Sequence, residues 1–351
     1  MRLVLHNITV VYFPIWTMPT FDCFSEAVYW VIRILELISL IPSFIITFSF
    51  CRIVCQTRIF HFNLSILLVS ILGQWFECFV ARILIIPYQE GWIAIQDTVM
   101  EDKSTGIYQA SGKFLPLFIG GFLRTHYLLS IAIAAPCLVM ERMWASFCIR
   151  TYEKHPRIYI STSMILISHL LSVFLSYQLI QWKYSYLQII LTFAITFSKT
   201  LMTFSILYIY NSIVTKRLER QHRSYGYHFG KRFQAKENLN SLKLVRRLSI
   251  VTVIGMLLIS FFISLVTSNL VPKGLHRIFL EFSEILMNLN PLYIIPPTVY
   301  RIPLWKSKML QLVPPGIRRR FSRAPSVRPL EYRIRRNNEA NTYWNQFASS
   351  W

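Results

Sequence analysis

The sequence predicts an all-α fold, a seven-transmembrane helix bundle with its N-terminus outside, on three observations. Hydrophobic residues make up 54% of the 351-residue chain, charged residues only 15%, and mean hydropathy is +0.43. A soluble domain carries about a quarter charged residues, so these are the proportions of a multi-span membrane protein. Seven apolar runs, each about 20 residues or longer, are long enough to cross a hydrocarbon core of about 30 Å as helices. Finally, Lys and Arg fall almost entirely on alternate connections.

The elements follow in order. Residues 1–27 are read as an extracellular N-terminus, mixed polar and aromatic, without a basic segment leading into a clean apolar core. The first span then acts as its own targeting signal. Asn7-Ile8-Thr9 is a glycosylation sequon, usable if this end is extracytoplasmic. A transmembrane domain over 28–299 holds spans at about 28–50, 62–88, 115–140, 158–180, 186–210, 248–270 and 278–299. Residues 300–351 form a basic, Pro-containing cytoplasmic tail. Arg33 and Glu36 in span one, and Glu281 and Glu284 in span seven, each sit three apart on one helix face, where a bundle interior can hold them.

Charge sets the orientation. Segments 51–61, 141–157, 211–247 and 300–351 hold 27 of the 37 Lys and Arg, whereas the N-terminus and segments 88–113, 181–185 and 271–277 hold 6. Positive connections stay cytoplasmic, so the N-terminus is outside and the tail inside. The net charge of +21 is thereby a topology signal that also attracts anionic membrane lipid, and nucleic acid is not expected as a partner.

For catalysis the sequence offers little: no Gly-rich phosphate loop, no HExxH, no nucleophile elbow. The six cysteines form neither metal spacing nor a disulfide framework. No enzyme activity, cofactor or metal is expected. By depth, Glu77, Arg124, His126, Glu281 and Glu284 fall in the outer half of the bundle and Lys199 near its middle, so these six are the candidate ligand-binding residues. Arg33 falls at the same depth, while Arg82 and Arg277 lie close enough to the outer surface to snorkel and are set aside. For any one of these the plainer role is a buried polar contact between helices. The intramembrane Glu77, Lys199 and Glu281 also admit an alternative, a multi-span ion channel or transporter, although no inverted repeat or broken helix pair supports it.

On the inner side, span three ends at Glu141-Arg142 beside a short basic loop. Charge placed where a helix leaves the lipid can meet a cytoplasmic partner, or simply snorkel. From Lys231 the 211–247 segment lacks helix breakers, so span six extends inward as a basic amphipathic helix carrying Lys243, Arg246 and Arg247. After span seven, Leu304-Trp305 and Met309-Leu310-Leu312 alternate with Lys306 and Lys308, the pattern of a short interfacial helix.

Three segments, WFECFVARILIIPYQEG (75–91), ERMWASFCIRTYEKHPRIYIS (141–161) and RFQAKENLNSLKLVRRL (232–248), resemble the nematode serpentine receptors of class epsilon, the Sre family. The resemblance covers about residues 20–310. It implies a bundle like that of G-protein-coupled receptors: a chemosensory receptor in the plasma membrane of sensory neurons, binding an unknown small-molecule ligand outside and activating a heterotrimeric G protein inside. Glu141-Arg142 then looks like the acidic-Arg pair of rhodopsin-like receptors, with Glu141 holding Arg142 at rest and Lys243, Arg246 and Arg247 completing the coupling surface. Three features depart from the rhodopsin-like pattern. Asn290-Pro291-Leu292-Tyr293 places Tyr one position early, span six has no proline, and no cysteine stands at the outer end of span three.

Overall fold

The computed structural model describes residues 2–4, 10–12, 26–57, 59–90, 92–93, 99–102, 107–110, 115–148, 158–180, 186–221, 229–267 and 270–312. Asn7 and the basic stretches 149–157 and 313–351 lie outside them.

Apolar segments in a bilayer must satisfy every backbone group internally, and helices do so. The chain accordingly threads α1 (Glu26–Gln56), α2 (Phe62–Gly73), α3 (Trp75–Gln89), α4 (Leu115–Phe147), α5 (Ile158–Ile180), α6 (Tyr186–Gln221), α7 (Phe229–Thr267), α8 (Lys273–Asn288), α9 (Asn290–Arg301) and α10 (Pro303–Leu312). Six stretches are long and apolar enough to cross a membrane by length and composition: α1, α2–α3, α4, α5, most of α7, and α8–α9. The 36-residue α6, fifth of the seven in chain order, completes the helix bundle.

Two spans are interrupted. The second turns at Gln74 between α2 and α3, and the seventh at Leu289, just before Asn290-Pro291, where proline cannot donate to the preceding turn. α7 runs 39 residues as one helix, carrying its basic inner part straight into its span. α10 turns away from α9 and is held by Trp305, which is buried edge-on against Phe50 and Phe60 and donates from Nε1 to Thr57 Oγ1 at 2.7 Å.

The helices are inside-out relative to a soluble protein. On α5, Leu166, Ile167, Leu170, Leu171 and Phe174 face outward, while Ser161, Ser168, Ser172 and Ser176 are buried. Small hydroxyl residues on the inner stripe let helix backbones come close in a medium that gives apolar side chains no reason to hide. Gly120 serves the same end between α3 and α4: a Cβ there would stand 2.8 Å from Ile85 Cγ1. Exposed hydroxyls of α6 turn back on their own helix, Thr192 to Gln188 O and Thr203 to Lys199 O among them, so these donors are not orphaned toward lipid.

Beside the bundle, strands β1 (Arg2–Val4), β2 (Val10–Tyr12), β3 (Val99–Asp102) and β4 (Ile107–Ala110) form a small sheet ordered β2-β1-β4-β3. β1 pairs parallel to β4 through Val4 and Gln109. The N-terminal segment and the α3–α4 connection therefore lie on one side of the bundle. The alternating charge pattern requires the same of them.

Candidate functional site

Charge has been collected at two levels of the bundle, with a mid-depth cluster between them. At the outer level Arg33 of α1, only 2% exposed, contacts Glu36 at 2.5 Å, Glu90 at 2.7 Å and Glu281 at 3.0 Å. Arg82 of α3 contacts Glu36 at 2.5 Å and also pairs with Glu284 and Gln89. Arg124 of α4 reaches Glu284 at 2.9 Å, Gln89 Nε2 donates to Glu284 at 3.1 Å, and Asn288 Nδ2 donates to Glu36 at 2.6 Å. Three guanidiniums and four carboxylates from α1, α3, α4 and α8, with the residue just after α3, thus form one continuous network. Its rim is Arg124 and Glu281, whose side chains are 13% and 11% exposed.

This corrects the reading of Arg82 as a snorkelling residue. It is buried, because Glu36 across the helix pair offers two carboxylate oxygens where lipid offers none. Of the six ligand-binding candidates, Arg124, Glu281 and Glu284 are brought together here. Gln89, Glu90 and Asn288 are members that residue type alone did not single out. Lys199 is apart from all of them, exposed on the outward face of α6.

The mid-depth cluster holds the other two candidates. Glu77 Oε2 of α3 lies 2.6 Å from His126 Nδ1 of α4, and His126 Nε2 lies 3.4 Å from Nδ1 of His169 on α5. Gln74 and Ser130 flank the pair of rings.

At the inner level α4 carries Glu141 and Arg142, both fully buried and paired through both carboxylate oxygens, one contact at 2.5 Å. The remaining guanidinium nitrogen faces Asn238 Oδ1 of α7 at 3.4 Å, and Asn238 Nδ2 donates to Ala145 O at 3.3 Å. One turn on, Ser146 Oγ donates to Arg142 O at 2.7 Å and accepts from Asn211 Nδ2 of α6 at 2.9 Å. Thr215 Oγ1 of α6 reaches Ala235 O of α7 at 3.5 Å. The inner ends of α4, α6 and α7 are thus tied by hydrogen bonds around one arginine that is 1% exposed. Lys243, Arg246 and Arg247 occupy the next turns of α7, with Arg246 lying over the Tyr208 ring at 5.6 Å. Asn238, Asn211 and Ser146 were invisible to a search for charge.

Between the two levels is a cavity of about 60 Å³ lined mainly by apolar side chains, among them Phe50, Leu68, Trp75, Ile131 and Leu138. Asn290 on its wall donates to Tyr127 Oη at 2.8 Å.

A seven-helix membrane bundle with buried charge near its outer end and a sequestered arginine at its inner end has the build of a transmembrane receptor. The family model described as Sre G protein-coupled chemoreceptor matches residues 1–351, and the chain belongs to that family. Among similar proteins of Caenorhabditis elegans, serpentine receptor class epsilon-38 is 26% identical over 343 residues, spanning 93% of this chain and 94% of its own. Serpentine receptor class epsilon-30 is 27% identical over 312 residues, spanning 85% and 86%. The chain is therefore a multi-pass G protein-coupled chemoreceptor and not an enzyme; a ligand and a G protein are its general classes of partner.

Proposed function

We propose that this receptor sits in the plasma membrane of chemosensory neurons, binds a small molecule at its outer end and engages a heterotrimeric G protein through Arg142. The observation that carries the coupling half is the sequestration of Arg142 behind Asn238. A buried arginine whose counter-charge rides on its own helix keeps that partner wherever the helix goes. Parting α7 from α4 therefore costs the guanidinium's hydrogen bond to Asn238, about 1.5–3 kcal/mol, and the neutral one from Asn238 to Ala145 O, about 1 kcal/mol net, and opens the guanidinium to the cytoplasm. Lys243, Arg246 and Arg247 would then line the same opening. Ligand enters at the rim formed by Arg124 and Glu281, where the outer network is least covered, and reaches Glu284 just behind it. Because Glu284 of α8 is held by both α3 and α4, a ligand that competes for it changes how these helices sit against one another.

The test is nucleotide exchange on G protein in membranes carrying the native chain or Arg142→Gln, normalised to receptor at the surface. Removing Arg142 alone takes from buried Glu141 the counter-charge beside it, so Glu141→Gln/Arg142→Gln is measured as well. Loss of exchange in both, with surface receptor present in at least one, is the expected result. Exchange at the native level in the double variant removes Arg142 from the coupling role. Deglycosylation, with Asn7→Gln as control, tests the outer N-terminus through a shift in gel mobility.

A further inference from the structure

The mid-depth cluster has a donor arrangement that ion pairing does not account for. An ionised carboxylate only accepts, so the proton in the 2.6 Å contact between Glu77 and His126 belongs to His126 Nδ1. That leaves the lone pair of His126 on Nε2. On the other side, Gln74 stands 3.4 Å from His169 Nε2, and its own Oε1 is buried with no hydrogen-bond partner. Turning that amide end for end is isosteric and gives Oε1 the Nε2 proton of His169 as its partner. The lone pair of His169 then rests on Nδ1. The two bare nitrogens face each other at 3.4 Å, the rings nearly parallel at 16° with centroids 5.3 Å apart, so they approach edge to edge.

Two nitrogen lone pairs directed into one space repel; the Ser130 hydroxyl, 3.5 Å from His126 Nε2, is a long contact that eases this little, and a cation between the two rings turns the repulsion into binding. Their separation matches the distance of about 3.4 Å between two ligands of a tetrahedral zinc ion with Zn–N bonds of about 2.0–2.1 Å, the ion sitting about 1 Å off the line joining them. Glu77 behind His126 completes the carboxylate–histidine–metal relay that fixes the ring tautomer and raises its basicity. Ser130 Oγ, 3.5 Å from His126 Nε2, is placed to hold a water in a remaining position. One donor atom each from Glu77, His126 and His169 lies within 4.8 Å of the others, and Glu77 is 29% exposed, which gives the cluster an entry.

We propose that this cluster is a Zn²⁺ site, with His126 Nε2 and His169 Nδ1 as ligands and Glu77 as the supporting carboxylate, joining the first turn of α3 to the middles of α4 and α5. It was not expected from the sequence, where no metal was foreseen. Its open positions suit a nitrogen- or sulfur-bearing small molecule, and it stands apart from the outer network, so it does not rest on the ligand site proposed there.

The test is a zinc titration of the full-length receptor, purified in detergent and stripped with chelator, read by competition with a zinc-responsive dye. One Zn²⁺ per chain with low-micromolar affinity is expected, falling at least a hundredfold in His126→Gln and in His169→Gln and about tenfold or more in Glu77→Gln. Cobalt(II) should give tetrahedral visible bands in the native chain that vanish in His169→Gln. No stoichiometric zinc in the folded native receptor overturns the proposal, whatever the variants do. So does zinc bound equally by the native chain and Glu77→Gln, the most exposed and least structural change of the three. A His–His pair that merely shares a proton gives the first of those outcomes.

Discussion

The two buried charged centres of this receptor are built to opposite rules. At the outer level every carboxylate is held by an arginine from another helix or by more than one partner; Glu36 alone answers Arg33, Arg82 and Asn288. At the inner level Glu141 pairs with its neighbour Arg142 on the same helix, and hydrogen bonds through Asn238 and Asn211 join that turn to α7 and α6. Separating helices outside therefore uncovers unpaired charge in a low-dielectric setting, which costs several kcal/mol for each ion. Separating them inside breaks hydrogen bonds of about 1 kcal/mol each, or about 1.5–3 kcal/mol where the guanidinium of Arg142 is the donor. A bundle made this way is a stiff clamp at one end and a latch at the other.

The largest effect should follow from breaking the clamp at its hub. Glu36→Ala leaves Arg33 and Arg82 short of their shared counter-ion, a loss of about 3–5 kcal/mol. Surface receptor and detergent melting should both collapse, and a melting point like that of the native chain would show that the network is ornamental. Gly120→Val comes next, forcing a branched side chain against Ile85 where even a Cβ has no room. A melting loss corresponding to about 1–3 kcal/mol is expected. At the latch, Asn238→Ala takes the acceptor from one guanidinium nitrogen, so it should lower melting modestly while raising basal G-protein activity roughly five- to tenfold, the equivalent of about 1–1.5 kcal/mol. Smallest of all is Lys199→Gln. With its side chain outside both centres, it should alter neither ligand response nor basal activity beyond error, and a lost ligand response would return Lys199 to the binding site.

Much of the architecture is legible in the chain because hydropathy runs and alternating basic connections report length and side, and bilayer physics leaves few other options. The i, i+3 pairs Arg33–Glu36 and Glu281–Glu284 also announce themselves, since four charges in spans need one another. Helix rotation is another matter. Arg82 was read as an outer-edge residue by depth, yet its azimuth on α3 turns it inward to Glu36; Lys199 has the right depth and the wrong azimuth. Nothing in a one-dimensional pattern distinguishes the two, because each lone cation sits in an otherwise apolar run. The breaks at Gln74 and Leu289 are equally quiet, the first having no proline at the turn at all. The latch residues Asn238, Asn211 and Ser146 are neutral, and only their convergence on the Arg142 turn gives them meaning.

The clamp-and-latch account is tested most directly by basal nucleotide exchange on G protein for three chains at matched surface density: native, Asn238→Ala and Asn238→Ala/Arg142→Gln. The account predicts activity raised severalfold by loosening the latch and abolished when Arg142 is also gone. Native-level activity in Asn238→Ala, or raised activity that survives without Arg142, would contradict it.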